Sequence, residues 1–447
     1  MAHQRAFGAA LALALALVAA APALAQTPPK PPGFACGGSP PQMVTVAPVA
    51  KFTVIDFDNR GADCALWQTF FYLNWPVIAN QRGMPNPTAK FGNPGTTVWE
   101  SFKTVEQVFL PNGATPLPWN QGAALQALAP SLSSQIGSGA VRLLDRENKI
   151  SRTTVNAIAR IPNVDKTFLD SIEQAFGGTL WDQQRRPVYY EIAMNKMQFD
   201  YIVSNKLYNS KDQGAFIQKQ NIVLPVGSIE LKAAWKILTP TETASGRFHM
   251  TRAYIAGLLQ PVTVGLVGLH VFTGGGDNGI GLWGTFAHVD NAPAQPTGPV
   301  PGKTYTFFNP NCAGCPLNSK ATKPTQVVQQ TPNDPTADQT TQDAWKIVGE
   351  YNKQNNVTKS PWMNYKLVNV QWSPRTVVLK TPVPIKLPLP QGMPNTAQMV
   401  NAVLETFMQQ PNTSCVQCHA SYASSAADQS VGSGYSFMFG YASAPSQ

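Results

Sequence analysis

Apolar side chains alternate with polar ones through the middle of the chain. In residues 228–238 every second position from Ile229 to Ile237 is apolar, with charged or small residues between them. This period of two predicts a strand with one buried face. Residues 262–272 are almost continuously apolar, which is typical of a strand buried on both faces. Shorter strands are predicted at residues 51–55, 282–289 and 365–372.

Stretches of helical periodicity surround these strands. The longest, residues 188–208, carries a stripe of methionine and aromatic side chains, which we interpret as a core-facing surface rather than a cofactor site. Proline (39 residues) and glycine (34 residues) are plentiful and indicate many loops. The pattern therefore predicts an α+β fold, with a large body of β-strands, peripheral helices and many Pro/Gly loops. Further helices are predicted at residues 65–73, 98–109, 341–355 and 396–409, with weaker ones at 123–132 and 166–176.

The first 25 residues have the pattern of a signal peptide. A short positive segment, residues 1–5, precedes an apolar run at residues 7–20, and Ala23 and Ala25 form an A-x-A cleavage site. The run is too short to span a bilayer comfortably, and no other long apolar run follows it. We therefore expect a periplasmic or secreted protein that has no transmembrane segment after signal cleavage.

The clearest chemical motif lies near the end of the chain, where Cys415 and Cys418 are followed directly by His419. This C-x-x-C-H spacing is typical of one covalently attached haem c, in which the two thiols form thioethers and the histidine ligates the iron. The alternatives are a local disulfide or half of a zinc site, and a zinc site would need further ligands.

Four other cysteines remain in the mature chain. If Cys415 and Cys418 hold haem, Cys36 and Cys64 are a natural disulfide pair, although spacing alone does not fix the connectivity. The second C-x-x-C, at Cys312 and Cys315, lacks a following histidine. We favour a structural disulfide there; a redox-active pair and a metal site are the alternatives.

Residues 420–447 are too few to wrap a haem, so the preceding body has to cover it. We therefore divide the chain into a signal peptide (1–25), an extended N-terminal arm (26–63), an α+β body (64–385) and a C-terminal haem c-binding segment (386–447). The formal charge of +9 is spread along the chain without a basic run, which argues against nucleic acid as a partner.

The second axial ligand of the iron is open at this point. Met438 is one candidate, and His249, His270 and His288 are the others. An open or water-bound position is equally compatible with the sequence. In that case His270, His288 or Arg247 could act as an acid–base or charge-stabilising group over the iron.

Several phrases resemble a group of exported bacterial cytochrome c family proteins. They are WQTF at 67–70, LNWP at 73–76, VWESFK at 98–103, GLVGLH at 265–270, WGTFAHVD at 283–290 and the terminal C-x-x-C-H. The resemblance spans most of the mature chain and implies an exported monohaem protein without assigning a substrate.

These observations favour a redox protein whose body forms a pocket over the haem, a haem c oxidoreductase. A plain electron-transfer carrier with a six-coordinate haem is the alternative, and a binding or scaffold protein with a structural haem is a further one. The partner is then a redox protein or a small-molecule substrate.

Overall fold

The chain folds into an eight-stranded, curled sheet that resembles half of a barrel, with seven α-helices packed around it. These counts refer to the part of the chain that the computed structural model describes. The mixed α+β class predicted from the hydrophobic pattern is confirmed. The described residues are 59–122, 142–144, 178–255, 258, 260–274, 281–331, 333–358, 360–372, 399–409 and 415–444.

The elements have the following bounds. The strands are β1 (Lys103–Thr104), β2 (Arg142–Leu144), β3 (Val188–Met194), β4 (Ser228–Ile237), β5 (Met250–Ile255), β6 (Val262–Gly274), β7 (Leu282–His288) and β8 (Tyr365–Trp372). The helices are α1 (Asn59–Leu73), α2 (Val105–Val108), α3 (Lys196–Ser204), α4 (Ser210–Ile217), α5 (Pro240–Ser245), α6 (Pro335–Asn355) and α7 (Cys415–Tyr422). Strands predicted at 228–238, 262–272, 282–289 and 365–372 are all present.

Strand β6 is the centre of the sheet. It pairs with β4 from Val264 to Gly274, with β5 through its first residues and with β7 through most of its second half. The main path is therefore β1-β3-β4-β6-β7-β8, and β5 and β2 form a branch. Every pairing is antiparallel except that of β2 with β5. In this register Lys232 of β4 and Thr285 of β7 lie on either side of His270.

The outer face of the sheet is apolar where it carries α1. Gly284 of β7 lets this helix approach closely, because a Cβ there would lie 1.7 Å from Leu66 Cδ2. Next to this contact Phe286 packs against Trp67 and Phe70, with ring centroids 5.0 and 4.3 Å apart. All of these side chains are fully buried, so the outer face forms the main hydrophobic core.

The inner face is more polar and is covered by the C-terminal part of the chain. The hydroxyl of Tyr190 on β3 donates to the Val403 carbonyl at 3.2 Å. Asn401 donates from Nδ2 to the Thr285 hydroxyl at 2.8 Å. The prediction that the C-terminal segment packs on the body is confirmed by these contacts.

Two predicted helices are wrong in detail. Residues 98–109 form a 3-10 turn, then β1, then α2, because Lys103 and Thr104 pair with β3 and Thr104 caps the short helix that follows. Residues 399–409 form turns. There the Oδ1 atom of Asn401 accepts from the Val403 and Leu404 amides, and such a side-chain bond competes with helical hydrogen bonding.

The periodic stretch 188–208 divides into strand β3 and helix α3. All seven residues of β3 are buried, so the strand shows no alternation that would distinguish it from a helix. Asn195 marks the boundary, since its side chain accepts from the Gln198 amide and caps α3.

Helix α1 begins at Asn59, so residues 59–63, which we assigned to the N-terminal arm, are helical. The signal peptide, the rest of the arm, the strand predicted at 51–55 and the helices predicted at 123–132 and 166–176 lie outside the described residues.

Cys64 is disulfide-bonded, and Cys36 lies outside the described residues as well. Cys312 and Cys315 form a disulfide, as we favoured. Within the described residues, no helix combines the length and hydropathy needed to cross a membrane.

Candidate functional site

Helix α7 presents the two motif cysteines from one side. Cys415 and Cys418 are three residues apart on this helix, so their side chains are neighbours on its surface, and both are half-buried thiols. Val416 between them is fully buried, and its amide donates to Gln371 Oε1 of β8 at 3.3 Å. The inner face of the sheet therefore fixes the position of the motif.

His419 follows in the same helix and is held in one tautomer. Its Nδ1 donates to the Tyr435 carbonyl at 2.5 Å, which places the lone pair of the neutral ring on Nε2. Burial lowers the pKa of His419 to about 4, so the ring is neutral at physiological pH. A neutral imidazole whose other nitrogen bonds a backbone carbonyl is the usual state of a histidine that ligates a metal.

Aromatic rings surround this imidazole. Phe437 lies edge-on at 4.8 Å between centroids and Trp283 at 6.3 Å. Trp283 in turn stacks on Phe272 and meets Tyr435 edge-on. These rings make the surroundings of His419 largely apolar.

Two of these rings carry donors that have no partner among the described residues. Trp283 and Tyr435 are 3% and 1% exposed, and neither Trp283 Nε1 nor the Tyr435 hydroxyl has a hydrogen-bond partner in the described part of the chain. Burial raises the pKa of Tyr435 to about 12, so its hydroxyl keeps its proton. Buried donors usually have partners, so a bound group that carries acceptors would suit these two.

A polar cluster lies on the same face of the sheet. The Nε2 atom of His270 donates to Glu405 Oε1 at 2.8 Å, and Lys232 is the register partner of His270 on β4. His270 also pairs with Thr285 on β7, and Trp283, two residues before Thr285 on the same face, contacts the His419 ring. The fold thus brings His270 to the same end of the inner face as the motif.

His288 and Arg247 belong to a different cluster. His288 donates from Nε2 to the Arg247 carbonyl at 3.2 Å, and its Nδ1 accepts from the Asp290 amide. Its ring stacks on Phe248 at 4.0 Å, and burial lowers the pKa of His288 to about 4. The Arg247 guanidinium forms an ion pair with Asp290 at 2.7 Å. These contacts describe a neutral core histidine and a surface ion pair.

His249 lies in a buried ionic cluster on the outer face. Its Nε2 is 2.9 Å from Glu100 Oε2, and Arg142 bridges Glu100 and Glu191. The guanidinium of Arg142 also lies over the Trp235 ring, at 5.3 Å. No local pattern in the sequence indicated this cluster, because its members come from widely separated segments.

Met438 lies in the core beside α3. Its Sδ accepts from Gln198 Nε2 at 3.4 Å, and the side chain is 1% exposed. The same short segment supplies the Tyr435 carbonyl, which accepts from His419 Nδ1, and the Phe437 ring, which lies edge-on to the His419 ring.

The donor set fits haem c. Two neighbouring thiols and a neutral, oriented imidazole supply the attachment points and one iron ligand. The two unsatisfied donors would be met by the carboxylates of the haem side chains. A zinc site at the motif would need more ligands, and no group of three or more His, Cys, Asp or Glu side chains in the described ranges is arranged to hold a metal ion.

Sequence reasoning missed Lys232, Trp283, Glu405 and Tyr435 as members of this site.

Comparison of the chain with family models, with curated proteins and with solved structures gives no match in any of the three. Function is therefore inferred from the residues of this chain, and the resemblance to exported cytochromes stays a prediction.

Proposed function

We propose that the protein is an exported monohaem c-type redox protein. Cys415 and Cys418 form the two thioether bonds, and His419 ligates the iron through Nε2. The observation that carries the proposal is the hydrogen bond from His419 Nδ1 to the Tyr435 carbonyl, which fixes the tautomer that a metal requires. Attachment of haem c takes place after export, so a periplasmic or secreted location belongs to the same proposal.

When bound, haem c supplies one-electron chemistry. The surrounding residues hold and shield the group. Trp283 and Phe437 would pack beside the His419 ring and the bound group, and the Trp283 and Tyr435 donors would bind haem carboxylates. Lys232, the register partner of His270, would supply a positive charge on the same face.

The proposed activity is electron exchange with a redox partner protein. A haem c oxidoreductase that acts on a small molecule is the second candidate, and the pair formed by His270 and Glu405 is the observation that favours it. With an exchangeable sixth position, His270 would hold or donate a proton there. Binding of cyanide or carbon monoxide distinguishes the two, because a six-coordinate carrier binds them weakly.

The test is expression of the full chain with and without a cytochrome c maturation system. We expect covalent haem that survives a denaturing gel, with the mass of one haem added to the chain. Replacing Cys415 and Cys418 together with Ala should abolish it. The matched control replaces Cys312 and Cys315 with Ala, because this second C-x-x-C should not affect attachment.

His419→Ala should lower the amount of attached haem and change the visible spectrum of what remains. A wild-type chain that acquires no covalent haem, or a His419→Ala protein with the wild-type spectrum, would contradict the proposal.

A further inference from the structure

We propose that His270 is the second axial ligand of the haem iron, opposite His419, and that Glu405 is its positioning residue. This inference rests on the haem c assignment above. It goes beyond that assignment, because it names the residue that occupies the remaining iron position.

The register of the sheet places His270 beside the motif. His270 pairs with Thr285 on β7, so Trp283 is its diagonal neighbour on the same face. The Trp283 ring contacts the His419 ring, with centroids 6.3 Å apart, so that Trp283 lies next to both histidines. Two imidazoles therefore lie at one end of the inner face, from segments about 150 residues apart in sequence.

Glu405 gives His270 the orientation of a metal ligand. Because the carboxylate accepts from Nε2 at 2.8 Å, the neutral ring carries its lone pair on Nδ1. Glu405 itself is fixed, since its second oxygen accepts from the Asn401 amide at 2.9 Å. Asn401 is anchored to β7 through Thr285 and the Phe286 carbonyl. A carboxylate bonded to the outer nitrogen of a ligating histidine fixes its tautomer and makes it more basic.

The remaining candidates are engaged elsewhere. Both ring nitrogens of His288 bond the backbone in a separate cluster. His249 is bonded to Glu100 in the core of the outer face. Met438 accepts a hydrogen bond from Gln198, and Tyr435, three residues before it, accepts from His419 Nδ1, the nitrogen that does not carry the lone pair.

Ligation by two histidines makes the iron six-coordinate and low-spin. It favours electron transfer over small-molecule chemistry, because no iron position is open. It also gives Glu405 a function: a carboxylate that increases the basicity of His270 stabilises the ferric state and lowers the reduction potential.

The experiment uses the full-length holoprotein made with the maturation system. We expect the wild type to be low-spin and to lack the far-red charge-transfer band that a methionine sulfur ligand produces. His270→Ala should become high-spin, and added imidazole should restore the low-spin spectrum. Cyanide should bind this variant about tenfold tighter or more, because a ligand that occupies the position nine-tenths of the time weakens apparent binding tenfold.

Two further variants separate ligation from folding. Met438→Leu preserves volume and should stay low-spin. Glu405→Gln should stay low-spin but show a higher reduction potential than the wild type, an effect that a merely structural role would not produce.

The outcomes are distinct. A wild type that is high-spin with covalent haem overturns this inference and leaves the haem c assignment intact. A far-red methionine band, or a Met438→Leu protein that becomes high-spin while His270→Ala stays low-spin, assigns the position to Met438 and overturns it too. A wild type without covalent haem overturns both proposals. If His270→Ala does not fold, two measurements still test the inference: the far-red band in the wild-type spectrum and the reduction potential of Glu405→Gln.

Discussion

Replacing Gly284 with alanine tests how closely α1 packs against β7. The new Cβ would lie 1.7 Å from Leu66 Cδ2, 2.9 Å from Cγ and 3.0 Å from Cδ1. Leu66 is fully buried, so its side chain has no solvent to move into. Overpacking of this kind typically costs about 1–3 kcal/mol, and we expect about 3 kcal/mol because three atoms of one branched side chain are affected.

A double-mutant cycle attributes this loss to Leu66. Leu66→Ala alone leaves a cavity and should cost about 2–5 kcal/mol. In the double variant the new methyl group occupies part of that space. The combined loss should therefore be smaller than the sum of the single losses, by about 2 kcal/mol, which is within the range found for residues in contact.

The assay is urea unfolding followed by tryptophan fluorescence. Gly349→Ala is the matched control, because Gly349 lies inside α6 and a Cβ there meets only Met363 Cε and Sδ, at 3.5 and 3.7 Å. That variant should be stabilised, by up to about 1 kcal/mol, through helix propensity. A Gly284→Ala protein as stable as the wild type, or strictly additive losses, would refute the proposed contact.

Two other predictions concern the buried polar groups. Burial opposes the charge of Glu100, but His249 and Arg142 together lower its pKa from 4.5 to about 2. Its contribution, about 3 kcal/mol at ~1.4 kcal/mol per unit, is therefore complete above pH ~4.5 and is lost as the pH falls toward ~2. Urea midpoints in this interval should fall more steeply for the wild type than for Glu100→Gln; equal slopes would contradict this. The Tyr365 hydroxyl donates to the Leu266 carbonyl and accepts from the His249 amide, each at 2.9 Å. Tyr365→Phe should cost about 2–4 kcal/mol, against less than ~1 kcal/mol for Tyr201→Phe, whose hydroxyl accepts from the exposed Val223 amide. Similar losses of unfolding free energy in the two variants would show that burial of these hydrogen bonds has little effect on stability.

A strand could be predicted from the sequence where apolar and polar side chains alternate along it, or where its apolar run is long. Strands β4 and β6 meet these criteria, and both were found close to their predicted bounds. Strand β3 was missed because it is buried throughout. The turns at 399–409 were missed because a side chain, that of Asn401, satisfies the backbone amides. Neither effect leaves a periodic pattern in the sequence.

In the candidate site, too, some residues could be predicted from the sequence and others could not. The motif at residues 415–419 is local and could be identified from spacing alone. The contact between His270 and Glu405 joins residues 135 positions apart, and it depends on sheet register and on the course of the C-terminal segment. Trp283 and Tyr435 were not identified because their significance lies in buried donors that have no partner in the described part of the chain, which spacing in the sequence does not reveal.

Strand β7 connects the stability of the fold with the geometry of the site. Its alternation turns Gly284 and Phe286 toward α1 on the outer face, and Trp283 and Thr285 toward the C-terminal segment on the inner face. Trp283 contacts the His419 ring, and Thr285 holds Asn401, which in turn holds Glu405. A displacement of β7 by α1 would therefore move groups beside both proposed iron ligands. The sheet that α1 supports on one side therefore positions the groups around His270 and His419 on the other.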